Sequence, residues 1–279
     1  MTNQTWSSAL RSVDIRRVAV PQRDAYDANT ILSLVARSTS SARPIVHVPR
    51  PRTTPLLIGR IFSAHEIAAA DLDGYHDSPS DHPSIERALN LLELCPNFHV
   101  ELLLEALHPG IDPQQPFLLE DNQPVLSISH STEGRFGAVW AAVNSPLGLA
   151  EGIVHEIAHH KLRALGVTTE GADALVLNDL TTLYPSPLVA SPRPMSAVLH
   201  AHYALLHVAS LEIDLLARPT TPTLPDMLRR SSAHHMRLVA MSAATIERSL
   251  IPDELGAEFL AGLAEWRERL MASGGQLVA

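Results

Sequence analysis

The segment PLGLAEGIVHEIAHHKLRAL, residues 146–165, constrains the fold more than any other stretch of the chain. It is apolar or small at most positions, it is introduced by Asn144-Ser145-Pro146, and Gly166 follows it. Those flanks are the residue types that start and stop helices, so a buried helix is predicted here. Within it lies His155-Glu156-Ile157-Ala158-His159, an HExxH pattern. Helical residues four apart stand one turn apart on the same face, so both imidazoles can reach one metal ion, with Glu156 beside them. The alternative is a pair of core histidines satisfied by hydrogen bonds. His65-Glu66-Ile67-Ala68-Ala69 lacks the second histidine and is expected to be inert.

Two imidazoles leave a coordination sphere incomplete, and a third ligand has to come from elsewhere. A ligand close behind the second histidine, as in HExxHxxGxxH proteases, is excluded because residues 162 and 165 are leucines. The next helical pattern, about Met195 to Leu216, carries His200, Tyr203 and His207 on one face, with His202 pointing elsewhere. His200 is the preferred ligand. His207 remains a candidate, as does Glu212, whose helical phase is well off that of His200.

The rest of the chain predicts an α+β fold, predominantly helical, with the metal site on two helices beside a small β-hairpin or sheet. Residues 124–130 (PVLSISH) and 135–143 (RFGAVWAAV) are β-rich runs separated by STEG, which reads as a hairpin. Helices are expected at about 27–41, 63–73, 84–107 with an interruption near Cys95-Pro96, 231–250 and 253–272. A single catalytic domain over 1–279 is expected, with 121–279 as the metal-binding core and 1–120 as a less defined N-terminal part.

Composition narrows the function classes. With 21 Lys+Arg against 30 Asp+Glu the net charge is −9, which argues against a nucleic-acid or anionic-membrane surface. One cysteine, Cys95, rules out an internal disulfide and a multi-cysteine metal site. No apolar run approaches a membrane span, and charges occupy the N-terminal stretch where a signal peptide needs apolar residues, so a cytoplasmic protein is expected. Histidine is abundant at 15 residues, and Lys161 is the only lysine.

The run SPLGLAEGIVHEIAHHKLRAL, then LYPSP, then SPRPMSAVLHAHYAL, resembles the HExxH-motif peptide-modification proteins encoded beside ribosomal natural-product precursors. These are 2-oxoglutarate-dependent HExxH-type peptide β-hydroxylases. The resemblance covers about Ser145 to Leu206, and it rests on order and spacing as well as on HExxH. It implies a non-haem Fe(II) enzyme with His155, His159 and His200 as metal ligands and Glu156 supporting the site without acting as general base. It also implies that Arg193 pairs with the distal carboxylate of the 2-oxoglutarate cosubstrate and that the substrate is a precursor peptide. The chain departs from the family pattern at Ser196 and Ala201, where glycines are usual. It departs again at Leu188-Val189, in place of a tryptophan and an arginine. The rival expectation from HExxH alone is a zinc metallopeptidase, with Zn(II) on the same histidines and Glu156 activating a water.

Overall fold

The computed structural model describes residues 9–39, 57–58, 76–77, 81–111, 128–131, 134–172, 174–218 and 224–278. Its helices are α1 (Ile15–Val18), α2 (Tyr26–Thr39), α3 (Pro83–Glu93), α4 (Val100–Leu103), α5 (Pro146–Ala164), α6 (Met195–Leu216), α7 (Leu224–Ser249) and α8 (Glu254–Val278). The strands are short: β1 (Leu57–Ile58), β2 (His76–Asp77), β3 (Ala106–Ile111), β4 (Ser129–His130), β5 (Ala138–Ala142), β6 (Val167–Thr168), β7 (Gly171–Ala172), β8 (Leu183–Tyr184) and β9 (Arg193–Pro194). The fold is α+β and predominantly helical.

The HExxH helix α5 forms as its ends dictate. Ser145 is extended, and its hydroxyl accepts from the Gly148 N–H, while Pro146 occupies the first turn, where a missing N–H costs nothing. At the far end Gly166 takes φ +88°, a conformation that strains any residue with a Cβ, and the helix stops. Helix α6 is buried all round, as an apolar helix without a polar stripe must be, and it packs against α5, α7 and α8. Helix α5 therefore sits between α6 on one side and β4 and β5 on the other, with α2 and α3 also against it.

The main sheet runs in the order β1-β3-β5-β4, with β2 paired to β3. The expected hairpin is present in its described part: β4 runs antiparallel to β5, with Ser129 opposite Ala141 and His130 opposite Trp140. The helical pattern at 63–73 lies outside the described residues. The helix expected over 84–107 is corrected in two respects. It starts one residue earlier, capped by the His82 imidazole, which accepts from the Ser84 N–H. And residues 106–111 are strand β3, which lies parallel to β5 in the middle of the sheet. The sequence ALHPGI hides a central strand because Pro109 cannot donate to a ladder.

A hydrophobic core runs from Leu10 and Ile15 through Ile153, Ile157 and Tyr203 to Phe259 and Leu270. Burying each large aliphatic side chain of α5 contributes about 1.5–3 kcal/mol. Among the described residues, an ion pair lies within that core. The Lys161 ammonium donates to Asp27 Oδ2 at 2.6 Å, and the two side chains are 1% and 0% exposed. Asp27 also accepts from the Gln22 N–H. The only lysine of the chain thus ties the metal-motif helix to α2.

Removing either partner strands the other charge in the core. Asp27→Leu or Lys161→Met alone is expected to destabilise the protein by about 3–5 kcal/mol. The double variant is expected to recover most of that loss, as read by urea denaturation.

Candidate metal centre

His155, Glu156 and His159 come together on α5. One ligating atom from each lies within 4.8 Å of the other two. The Nε2 atoms of His155 and His159 are 3.0 Å apart, and His155 Nε2 is 4.0 Å from Glu156 Oε1. Both imidazoles are held neutral. Burial lowers the pKa of His155, aided by the nearby His235 and Arg163, against an opposing pull from Glu156. Burial pushes His159 well down, and His155, His200 and Arg163 push it further. A neutral imidazole has a lone pair to offer, which a metal requires.

His200 stands on the other side of His159. Its Nδ1 is 2.8 Å from His159 Nδ1, and its Nε2 is 2.9 Å from the Val167 carbonyl oxygen. That carbonyl can only accept, so His200 Nε2 carries the proton, and burial keeps the ring neutral with a pKa lowered to about 3. His200 Nδ1 is then a lone pair, which accepts from His159 Nδ1–H. The relay leaves the free lone pair of His159 on Nε2, facing His155. His200, expected as the third ligand, thus faces the Nδ1 side of His159 and not the gap between the Nε2 atoms of His155 and His159. From there it orients a ligand from behind.

Glu156 is fixed by the hairpin. Ser129 donates to its Oε1 at 2.7 Å and Ser131 to its Oε2 at 2.5 Å. Arg163 donates to the Ser131 hydroxyl at 2.8 Å. Residues two apart on an extended chain share a face, so the spacing of Ser129 and Ser131 suits one carboxylate. A carboxylate has about four acceptor positions, so two serine bonds leave it able to bind a cation.

The other candidates lie apart from this group. His207 is 0% exposed, its Nδ1 bonds to the Tyr203 carbonyl, and its ring packs on Tyr203 and Trp266. His202 bonds to the Ser242 hydroxyl. Glu212 accepts from His235 Nδ1 at 3.0 Å. Arg193 is exposed in β9, opposite Tyr184 in β8, directly before the helix that carries His200.

Sequence reasoning missed a second set of residues. A cavity of about 210 Å³ opens beside His155, walled by Ser129, Glu151, Leu188, Leu205 and His235 among others. Glu151 was detectable, since it lies one helical turn before His155 on the same face. His235 was not, because its approach depends on how α7 packs against α6. Burial raises the pKa of Glu151 well above the usual carboxylate range, with Glu212 adding to the rise. Burial also pushes Glu212 up, to about 8.

The chain matches no known family model and no curated protein sequence.

Two outcomes test this geometry. His155→Ala and His159→Ala are expected to abolish binding of one divalent metal per chain. His200→Ala keeps that stoichiometry but weakens affinity about 10–100-fold, as read by metal analysis after dialysis against a competing chelator. The second concerns Glu212. Its folded-state pKa is raised to about 8, so the folded state holds a proton that the unfolded state releases near pH 4.5. Its contribution is therefore fully present at acid pH and is lost as pH rises towards 8. Glu212→Gln is expected to raise the melting temperature at pH 8 by more than at pH 5.

Proposed function

We propose that the protein is a cytoplasmic, iron(II)- and 2-oxoglutarate-dependent oxygenase that hydroxylates a β-carbon in a ribosomally made precursor peptide. The observation that carries the reading is the donor set. Two neutral imidazoles and one carboxylate lie within 4.8 Å of each other, the ligand type used by non-haem iron(II) oxygenases. His155, Glu156 and His159 would hold the ion. Bound iron and 2-oxoglutarate would supply the oxygen chemistry, with one oxygen atom going to the peptide C–H bond, the other to succinate, and carbon dioxide released.

The chain's own residues have separate tasks in this reading. His200 fixes the tautomer of His159, and Ser129 and Ser131 hold Glu156 in place. A carboxylate with both oxygens engaged is restrained from the swing that shuttling a proton to a leaving amine requires. That restraint favours the oxygenase over a zinc peptidase with Glu156 as general base. Arg193 is the residue for the distal carboxylate of the cosubstrate, where a planar guanidinium can bind in bidentate fashion. Between residues 177 and 189, Leu177, Leu180, Leu183, Leu188 and Val189 are exposed. Since Leu188 also lines the cavity beside His155, this apolar segment suits a peptide that lies across the surface to reach the centre.

The test loads the purified protein anaerobically with iron(II), then adds oxygen, 2-oxoglutarate and the precursor peptide. A peptide that gains one oxygen atom, with an equivalent of succinate, is expected. Peptide cleavage without oxygen consumption overturns the reading in favour of the peptidase. Arg193→Ala is expected to weaken 2-oxoglutarate binding at least about tenfold, equivalent to one charge-assisted hydrogen bond of about 1.5–3 kcal/mol, with metal content unchanged.

A further inference from the structure

The cavity beside His155 carries more acidic machinery than metal binding uses. Glu151 is 2% exposed, lines the cavity, and its Oε1 has no hydrogen-bond partner. Glu212 lies behind it on α6, 0% exposed, with Oε2 likewise unpartnered. His235, on α7, lines the same cavity and spends its Nδ1 on Glu212 Oε1 at 3.0 Å, with the Ser231 hydroxyl also near that nitrogen at 3.4 Å. The remaining walls are apolar or small: Ile128, Gly152, Leu188, Leu205 and Val208. Among the described residues, the cavity lining includes no lysine or arginine.

Leaving a buried acceptor without a partner is costly, and more so when the group is charged. Glu151 and Glu212 bond to each other and to Ser231, yet one oxygen of each stays without a partner, so Glu151, in the cavity wall, has capacity for a further donor. The volume, about 210 Å³, admits one long side chain and excludes a folded segment. Apolar walls suit a methylene stem, while carboxyl groups and an imidazole suit a cationic head. Because His155 lines the cavity, such a ligand lies next to the metal centre.

We propose that this cavity is the receptor for a basic side chain of the substrate, arginine or lysine, whose head group binds Glu151, with Glu212 and His235 behind it. Glu151, held neutral by burial while the cavity is empty, releases its proton to solvent on binding, and the guanidinium or ammonium then supplies the donors and the counter-charge for its carboxylate. The stem lies along Leu188, Leu205 and Val208. The basic residue thereby fixes which neighbouring position of the peptide meets the metal. This inference rests on the metal-centred reading only in taking the cavity as the substrate's approach to His155.

The test measures binding and needs no turnover. The full-length protein is loaded with zinc(II), an ion inert to oxygen, and titrated calorimetrically with N-acetyl-Gly-Arg-Gly-amide or with its neutral citrulline isostere. The arginine peptide is expected to bind at least about tenfold more tightly, corresponding to about 1.4 kcal/mol. Glu151→Gln, which keeps the volume, is expected to reduce that preference to less than about threefold. Its metal content and melting temperature, measured alongside, confirm that the variant is folded. Equal affinity for the two peptides overturns the proposal, as does a preference that survives in a folded Glu151→Gln. A second zinc ion per chain, lost in Glu151→Gln, also overturns it and makes the cluster a metal site. Because no oxygen chemistry enters the assay, its failure is separate from failure of the oxygenase reading.

Discussion

The ion pair between Lys161 and Asp27 lies at the junction on which the other elements depend. Both charges are out of water, so each tolerates burial only because the other is there. The pair fixes where α2 meets α5, and α5 in turn carries the metal motif, backs β4 and β5, and packs along α6. Two residues after Lys161, Arg163 reaches Ser131, and two residues before it stands His159. An anchor so close to the ligands holds the rotation of the helix about its own axis. A turn of the helix through even one residue would carry His155 away from the cavity and His159 away from His200.

Around that anchor the site is organised by proton placement as much as by position. Each polar partner has one job it can do. The Val167 carbonyl only accepts, which settles the His200 tautomer, and this settles that of His159. The serine hydroxyls donate to Glu156 and leave it an acceptor. What remains facing the ligand space is a set of lone pairs, and a metal cation is what such a set lacks.

The sequence was most informative where local chemistry decides the structure. Pro146, Ser145 and Gly166 mark the ends of α5, and the four-residue spacing of His155 and His159 holds whatever surrounds the helix. The apolar run after Met195 made α6 legible from end to end. It failed where long-range packing decides. Strand β3 contains Pro109 and looks like loop, yet it sits between β1 and β5. On α6, helical phase placed His200 and His207 on one face, but it could not tell the residue that meets His159 at 2.8 Å from the one wedged against Trp266. Glu212 is out of phase with His200, as its position on the helix requires, and its partner is His235, across on α7, a neighbour that no periodicity within one helix reports.

The hydrogen bond that ends the histidine relay is made to a backbone carbonyl, at Val167, just past the turn that stops α5. A main-chain group is present whatever residue occupies the position. Substitution at 167 is constrained by the packing of its buried side chain but leaves the carbonyl in place, while inserting a residue between Gly166 and Val167, or deleting Gly166, would shift the carbonyl out of register. The orientation of His159 is encoded here in the length of a connection and not in its letters, so an inventory of invariant residues would overlook it.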